Sequence, residues 1–313
     1  MNSKPIFQVE NFGVSFSQYV KGIERRELHV ITNLDINLYK GKILAVLGSS
    51  GSGKSLLAHA ILGILPYNAS IYGKMYFKGQ EISQKDREAL RGHAISLIPQ
   101  SVNYLDPLIK VGKQVGFSLR QKSEAEKKQL VLQQFAKYGL APEVYDYYPH
   151  QLSGGMARRV LLSTALLAES EIIIADEPTP GLDEQSLKEV LADFRKTTDE
   201  GCAVLMITHD INAARTIADQ IAVFYAGSTL EIANVEEMTG DGSKLRHPYT
   251  KALLRAMPDT EFVPVEGTQP MPGEMTKGCL FSDRCAYKTE QCLAETPPLR
   301  DVRGGKVRCF HAS

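Results

Sequence analysis

The segment from Lys42 to Leu62 constrains this chain more than any other. An apolar run, Ile43-Leu44-Ala45-Val46-Leu47, meets a glycine-rich turn and then a helical pattern beginning Leu56-Leu57-Ala58-His59-Ala60-Ile61-Leu62. Strand, loop and helix in that order predict an α/β unit. The turn, Gly48-Ser49-Ser50-Gly51-Ser52-Gly53-Lys54-Ser55, fits the Walker A pattern G-x-x-x-x-G-K-[ST] in the context that pattern needs, after a strand and opening a helix. Glycines let the backbone curl so that successive N–H groups face phosphates. Lys54 can then reach the β and γ oxygens, and the Ser55 hydroxyl can ligate Mg²⁺. A merely structural Gly/Ser turn would not explain why motif, strand and helix agree.

Two more buried-strand candidates end in polar residues. Ile172 to Ala175 runs into Asp176-Glu177, and Ala203 to Thr208 runs into His209-Asp210. Ligands of open parallel sheets bind at the carboxyl ends of strands, so these ends and the phosphate loop should share one site. There Asp176 would hold Mg²⁺ through water and Glu177 would position the attacking water. Alone, an Asp-Glu-Pro triplet reads as a helix cap or loop. Beside a phosphate loop it reads as a hydrolytic pair, with ATP and Mg²⁺ as the expected ligands.

Charge adds a limit. Lys and Arg total 36 and Asp and Glu total 36, so no overall field favours nucleic acid or anionic lipid, and phosphate recognition must be local. Met1 to Phe12 has no charged stretch leading into an apolar segment, which argues against a secretory signal and for the cytoplasm. The longest apolar region, Val160 to Ala175, is broken by Glu169 and Glu171 and falls short of the roughly 20 apolar residues that span a bilayer. A pore, if one is served, must come from a partner. No internal repeat and a single phosphate loop predict one ATPase unit. Residues 100–160 read as an inserted helical subdomain, with Glu124 to Gly139 rich in Lys, Gln, Glu and Leu. From Asp241 the chain turns rich in Pro and Gly, which suits an extended linker. The expected division is therefore 1–238 for the ATPase domain and 239–313 for a C-terminal extension.

Leu152-Ser153-Gly154-Gly155-Met156 resembles the signature motif of ABC ATPases. Its chemistry is an anion site, because a helix start, the Ser153 hydroxyl and glycines without side chains allow close approach to a γ-phosphate. In isolation it would be an ordinary Ser N-cap. Its place after Gln100 and before Asp176 favours the signature. The resemblance extends to Phe16, where an aromatic stacks on adenine, Gln100 of the Q-loop, Gly181-Leu182-Asp183 of the D-loop, and His209 as the switch histidine. It implies an α/β P-loop NTPase (RecA-like) core with an inserted helical subdomain. It also implies head-to-tail dimers in which Ser153, Gly154, Gly155 and Asp183 act in trans, with Gln100 joining Ser55 and Asp176 around Mg²⁺.

Within that superfamily the chain is similar to the ATPase subunits of oligopeptide, dipeptide and nickel importers. Tyr148-Pro149-His150-Gln151, Met156 in place of the usual Gln, His247-Pro248-Tyr249-Thr250-Lys251-Ala252-Leu253-Leu254 and the cysteine tail carry the similarity. Ser101-Val102-Asn103-Tyr104-Leu105-Asp106-Pro107 departs from the group, one residue short and with Asp106 for a frequent Asn. The implied function is an importer motor at the cytoplasmic face of the cell membrane. Its expected partners are a second ATPase, taken as a paralogue, two transmembrane permeases and an extracellular solute-binding protein. Peptides lead as cargo and nickel or a metal chelate is the alternative. A soluble ABC ATPase acting on ribosomes or DNA would carry a second ATPase half, a long coiled coil or a basic patch, none of which is visible in the sequence.

Four of the five cysteines fall in the last 35 residues. Cys279, Cys285, Cys292 and Cys309 lack the C-x₂-C knuckles of zinc ribbons. By residue type alone they fit an iron–sulfur centre, zinc or free thiols. Gly278-Cys279-Leu280-Phe281-Ser282-Asp283-Arg284-Cys285 resembles the tails of peptide-importer ATPases, which implies a [4Fe–4S] cluster with a stapling role. Cys202 stands apart and is expected to be a small buried hydrophobe.

Overall fold

The computed structural model describes residues 4–21, 24–49, 51–258, 260–272, 274 and 277–313. Its strands are β1 (Phe7–Lys21), β2 (Glu24–Leu38), β3 (Ile43–Leu47), β4 (Ala69–Phe77), β5 (Gln80–Glu81), β6 (Ile95–Ile98), β7 (Ile172–Asp176), β8 (Ala203–Thr208), β9 (Gln220–Tyr225), β10 (Ser228–Asn234), β11 (Arg300–Val302) and β12 (Gly305–Val307). They form one sheet in the order β5-β4-β1-β2-β10-β9-β3-β8-β7-β6, with β12 joined to β10 and β11 to β12.

Strands β9, β3, β8, β7 and β6 run parallel, and every residue of β3, β7 and β8 is buried. Burial on both faces is why these segments are continuous apolar runs instead of alternating ones. Successive residues still serve opposite faces. Ile43, Ala45 and Leu47 pack in one core with Phe194, Ile217 and Leu254, while Leu44 and Val46 pack in the other with Phe12, Leu34 and Leu57. β1, β2 and β4 form an antiparallel wing against the second core.

A third core lies in the inserted helical region. Val111 and Val115, Val131 and Phe135, and Val160 and Leu161 bring together the helices Val111–Gly116, Glu124–Lys137 and Gly154–Leu166. The last of these also sends Leu162 and Ala165 into the first core of the sheet, so it bridges the two bodies. Among the described residues no helix is long and apolar enough to cross a membrane.

The extension is built onto the ATPase sheet. β12 pairs with β10 through Glu231↔Val307 and Ile232↔Lys306, and Cys279, Phe281 and Cys292 belong to the first core. Much of the tail's apolar surface is thus packed into the core of the ATPase sheet. Arg246 fixes the junction from a fully buried position. Its Nη1 lies 3.2 Å from Glu231, Nη2 lies 2.5 Å from Glu237, and Nε and Nη2 donate to the carbonyls of Val302 and Arg303 in the tail. The main-chain N–H groups of Arg246 and His247 also donate to the Glu231 carboxylate, each at 2.8 Å. Removing one member of a buried ion pair strands the other charge. Arg246→Met should therefore destabilise the protein by about 3–5 kcal/mol in a urea titration, whereas a loss under about 1 kcal/mol would mean that the network carries little.

Candidate active site

The phosphate loop needs its glycines here. Gly51 and Gly53 sit at φ +78° and +93°, and a Cβ on Gly48 would come 2.7 Å from the carbonyl oxygen of Phe224. Gly53 caps the helix Lys54–Ile61, whose first N–H groups point toward the loop. Lys54 is buried and its ammonium folds back to donate to the carbonyls of Gly48 (2.8 Å) and Ser49 (2.9 Å). The Ser52 hydroxyl is buried with no partner. Ser50 lies outside the described residues. Ser49 donates to Oε1 of Gln269 at 2.7 Å, so the linker of the extension touches the phosphate loop.

The strand ends converge as expected. Asp176 closes β7 at 3% exposure, and its Oδ1 is an orphaned buried acceptor. Burial raises its pKa, opposed by a hydrogen bond from Ser55 and reinforced by the charge of Glu177. Burial likewise lowers the pKa of Lys54, while Glu177 and Asp176 push it back up. Hydroxyl and carboxylate oxygens side by side, one of them without a partner, suit a hard cation such as Mg²⁺.

Glu177 follows at φ +48°, a conformation that costs a side chain of this size about 1–3 kcal/mol. Its N–H donates to the carbonyl of Ile207 at 2.8 Å. Oε1 lies 2.9 Å from Nδ1 of His209, and Oε2 accepts from the Thr208 hydroxyl at 3.4 Å. The His209 ring is mostly exposed, so the carboxylate is buried beneath an imidazole that faces solvent.

The other expected residues fall on several different elements. Gln100 is exposed just past β6. Ser153 caps the helix Gly154–Leu166, accepting from the N–H of Met156 at 3.3 Å, and Ser153 and Gly154 are exposed at its start. An ideal Cβ on Gly155 would lie 3.9 Å from the carbonyl oxygen of Gly181, which sets Gly155 beside the loop carrying Asp183. Asp183 caps the helix Glu184–Asp199 through Ser186. Serine and aspartate thus do act as caps, with their helix starts turned outward. Phe16 is half-buried in β1, paired with Leu28 and Ala69 and packed on the second core.

Sequence reading missed three contributors. Arg158 bonds carbonyls of the Gln100 and Glu177 loops; its position among the buried residues 157, 158, 160, 161, 162, 163 and 165 was the available signal. Tyr104 bonds Nε2 of His59 at 2.9 Å, tying the loop after Gln100 to the phosphate-loop helix. Gln269 carries no signal at all.

In the extension, Cys279, Cys285, Cys292 and Cys309 line one small cavity with His247, Phe281 and His311. Burial and the neighbouring tail thiols push Cys279 up to about 11, against a backbone hydrogen bond that lowers it, and burial raises Cys285 too. Among the described residues no three His, Cys, Asp or Glu side chains lie close enough to hold a single metal ion. Burial pushes the Cys202 thiol up to about 12, in keeping with an inert core residue.

A phosphate loop opening a helix, with an acid pair and a histidine at adjacent strand ends, defines a P-loop ATPase. The ABC transporter family profile matches residues 31–180, and that of the oligopeptide/dipeptide transporter C-terminal region matches residues 230–292. Dipeptide transport ATP-binding protein DppD of Bacillus subtilis is 34% identical over 92% of this chain and 88% of its own. The same organism's oligopeptide transport ATP-binding protein OppD is 32% identical over 95% and 86%. A dimeric ATP-binding cassette, solved in a post-hydrolysis state with ADP and Pi, superposes with a TM-score of 0.63 at 26% identity. The match covers 73% of this chain and 98% of the cassette. The chain belongs to the ATP-binding subunits of ABC transporters.

Because the fold raises the pKa of Asp176, ionising it costs stability at neutral pH. Asp176→Asn should therefore raise the melting temperature of the nucleotide-free protein at pH 7. That gain should vanish as pH falls below the ordinary carboxylate range, where wild-type Asp176 is protonated in both states. Equal melting temperatures at pH 7 would contradict the buried-charge account.

Proposed function

We propose that this chain is the ATP-hydrolysing subunit of a di- and oligopeptide importer, working at the cytoplasmic face of the cell membrane. The observation that carries the reading is near-full-length similarity to peptide-transport ATP-binding proteins, extending through the C-terminal region. The partners that follow are a second ATPase, read as a paralogue, two permease subunits and an extracellular solute-binding protein.

In this reading Gly48 to Ser55 wrap the phosphates and Lys54 leaves its loop carbonyls for the β and γ oxygens. Ser55, Gln100 and, through water, Asp176 would hold Mg²⁺, which supplies charge neutralisation at the phosphates. Phe16 offers a face to adenine. Glu177 orients a water in line with the γ-phosphorus and accepts its proton as the P–O bond to the ADP leaving group breaks. His209, hydrogen-bonded to Glu177, holds that geometry. Ser153, Gly154, Gly155 and Asp183 meet the partner's nucleotide, which their exposed helix starts support.

Cys279, Cys285, Cys292 and Cys309 would hold a [4Fe–4S] cluster. What supports this reading is that all four cysteines line one cavity, together with the resemblance of the tail. The cluster would staple the tail. Anaerobically purified protein should be brown with about four iron and four sulfide per chain; stoichiometric zinc without iron would overturn the assignment.

For the transport reading, Glu177→Gln in cells should abolish uptake of labelled dipeptides while the purified subunit still binds ATP. Intact dipeptide uptake with lost nickel uptake would assign the motor to metal transport instead.

A further inference from the structure

The helix Gly154–Leu166 starts at the exposed Gly154 and turns its fifth residue, Arg158, inward to 5% exposure. Nη1 of Arg158 donates to the carbonyls of Pro99 (2.9 Å) and Gln100 (2.8 Å), and Nη2 donates to the carbonyl of Glu177. All these acceptors are main-chain oxygens. A guanidinium buried without a bonded carboxylate is a costly way to fill space, and an apolar side chain would pack there more cheaply. What it gains is geometry, because a planar fork fixes several acceptors at once.

Glu177 is the acceptor that matters most. Its N–H is held by Ile207 of β8 and its C=O by Arg158, so the peptides on both sides of a left-handed residue are pinned. That pinning sets the direction in which the carboxylate leaves the backbone, toward His209 and Thr208. The same guanidinium holds the peptide of Gln100. Arg158 is therefore the point where the signature helix, the Gln100 loop and the end of β7 are joined by one side chain.

We propose that Arg158 is a positioning residue for hydrolysis, transmitting the seating of the signature helix to the Glu177 carboxylate and to Gln100 in the same subunit. Nucleotide held by the partner subunit and engaged by Ser153 then sets the water-orienting group of this chain's own site. The inference rests on the reading of Glu177 as the hydrolytic carboxylate.

The test uses full-length protein, in the subunit assembly that supports wild-type turnover, with Arg158→Lys, Arg158→Met and Glu177→Gln measured together. Arg158→Lys keeps the charge but lacks the fork. Arg158→Met should lower kcat by about tenfold or more with ATP affinity within about twofold of wild type, and Arg158→Lys should fall between the two. If Arg158→Met does not fold, the lysine variant decides. Unchanged kcat in a folded Arg158 variant beside an inactive Glu177→Gln overturns this proposal alone. Parallel loss of affinity and kcat in Arg158→Lys is the mark of a purely structural role and also overturns it. Full turnover by Glu177→Gln overturns the reading beneath it.

Discussion

Parallel strands buried on both faces leave polar side chains nowhere to go but their ends, and the molecule is arranged around that constraint. β3, β7 and β8 lie side by side, so their carboxyl ends put the phosphate loop, Asp176, Glu177 and His209 within one small volume. Lys54, Asp176 and Glu177 are all at most 6% exposed there. Opposite charges share that volume, yet Asp176 keeps an acceptor with no partner and Ser52 an idle hydroxyl. Such groups destabilise the empty protein. In the proposed reading, phosphate oxygens and a divalent cation complete them, and the site trades resting stability for ligand binding.

Everything outward of that centre serves to connect it. The helix Gly154–Leu166 belongs to the helical core at its start and to the sheet core at its end, with Arg158 between. The extension is tied to β10 by a strand pair and by the buried Arg246 network, and its linker reaches Ser49 through Gln269. Arg284, next to Cys285, holds that linker by the carbonyls of Val265 and Glu266. A continuous line of contacts thus runs from the cysteine cavity to the phosphate loop.

The sheet core and the meeting of the glycine loop with the polar strand ends were legible because they obey local rules. A glycine loop has to follow a strand, and doubly buried strands have to be apolar along their whole length. The wing was not legible: β1 and β2 mix exposed and buried residues irregularly, with bulges breaking the alternation that would reveal them. Nor was the docking of the tail. Arg246 and Arg308 read as ordinary surface charges, and only the fold shows Glu231 and Asp35 waiting for them. Ser153 and Asp183 illustrate a further limit, since the residue types that meet phosphate across an interface are the same ones that cap helices.

The central claim is that the converged strand ends form a Mg²⁺–ATP site in which Lys54 binds the phosphates. Its most direct measurement is the melting temperature with and without saturating Mg²⁺–ATP, for wild type and for Lys54→Ala. A ligand that binds only the folded state must raise it. The account predicts a clear rise for wild type and little or none for Lys54→Ala; an equal rise in both would contradict it.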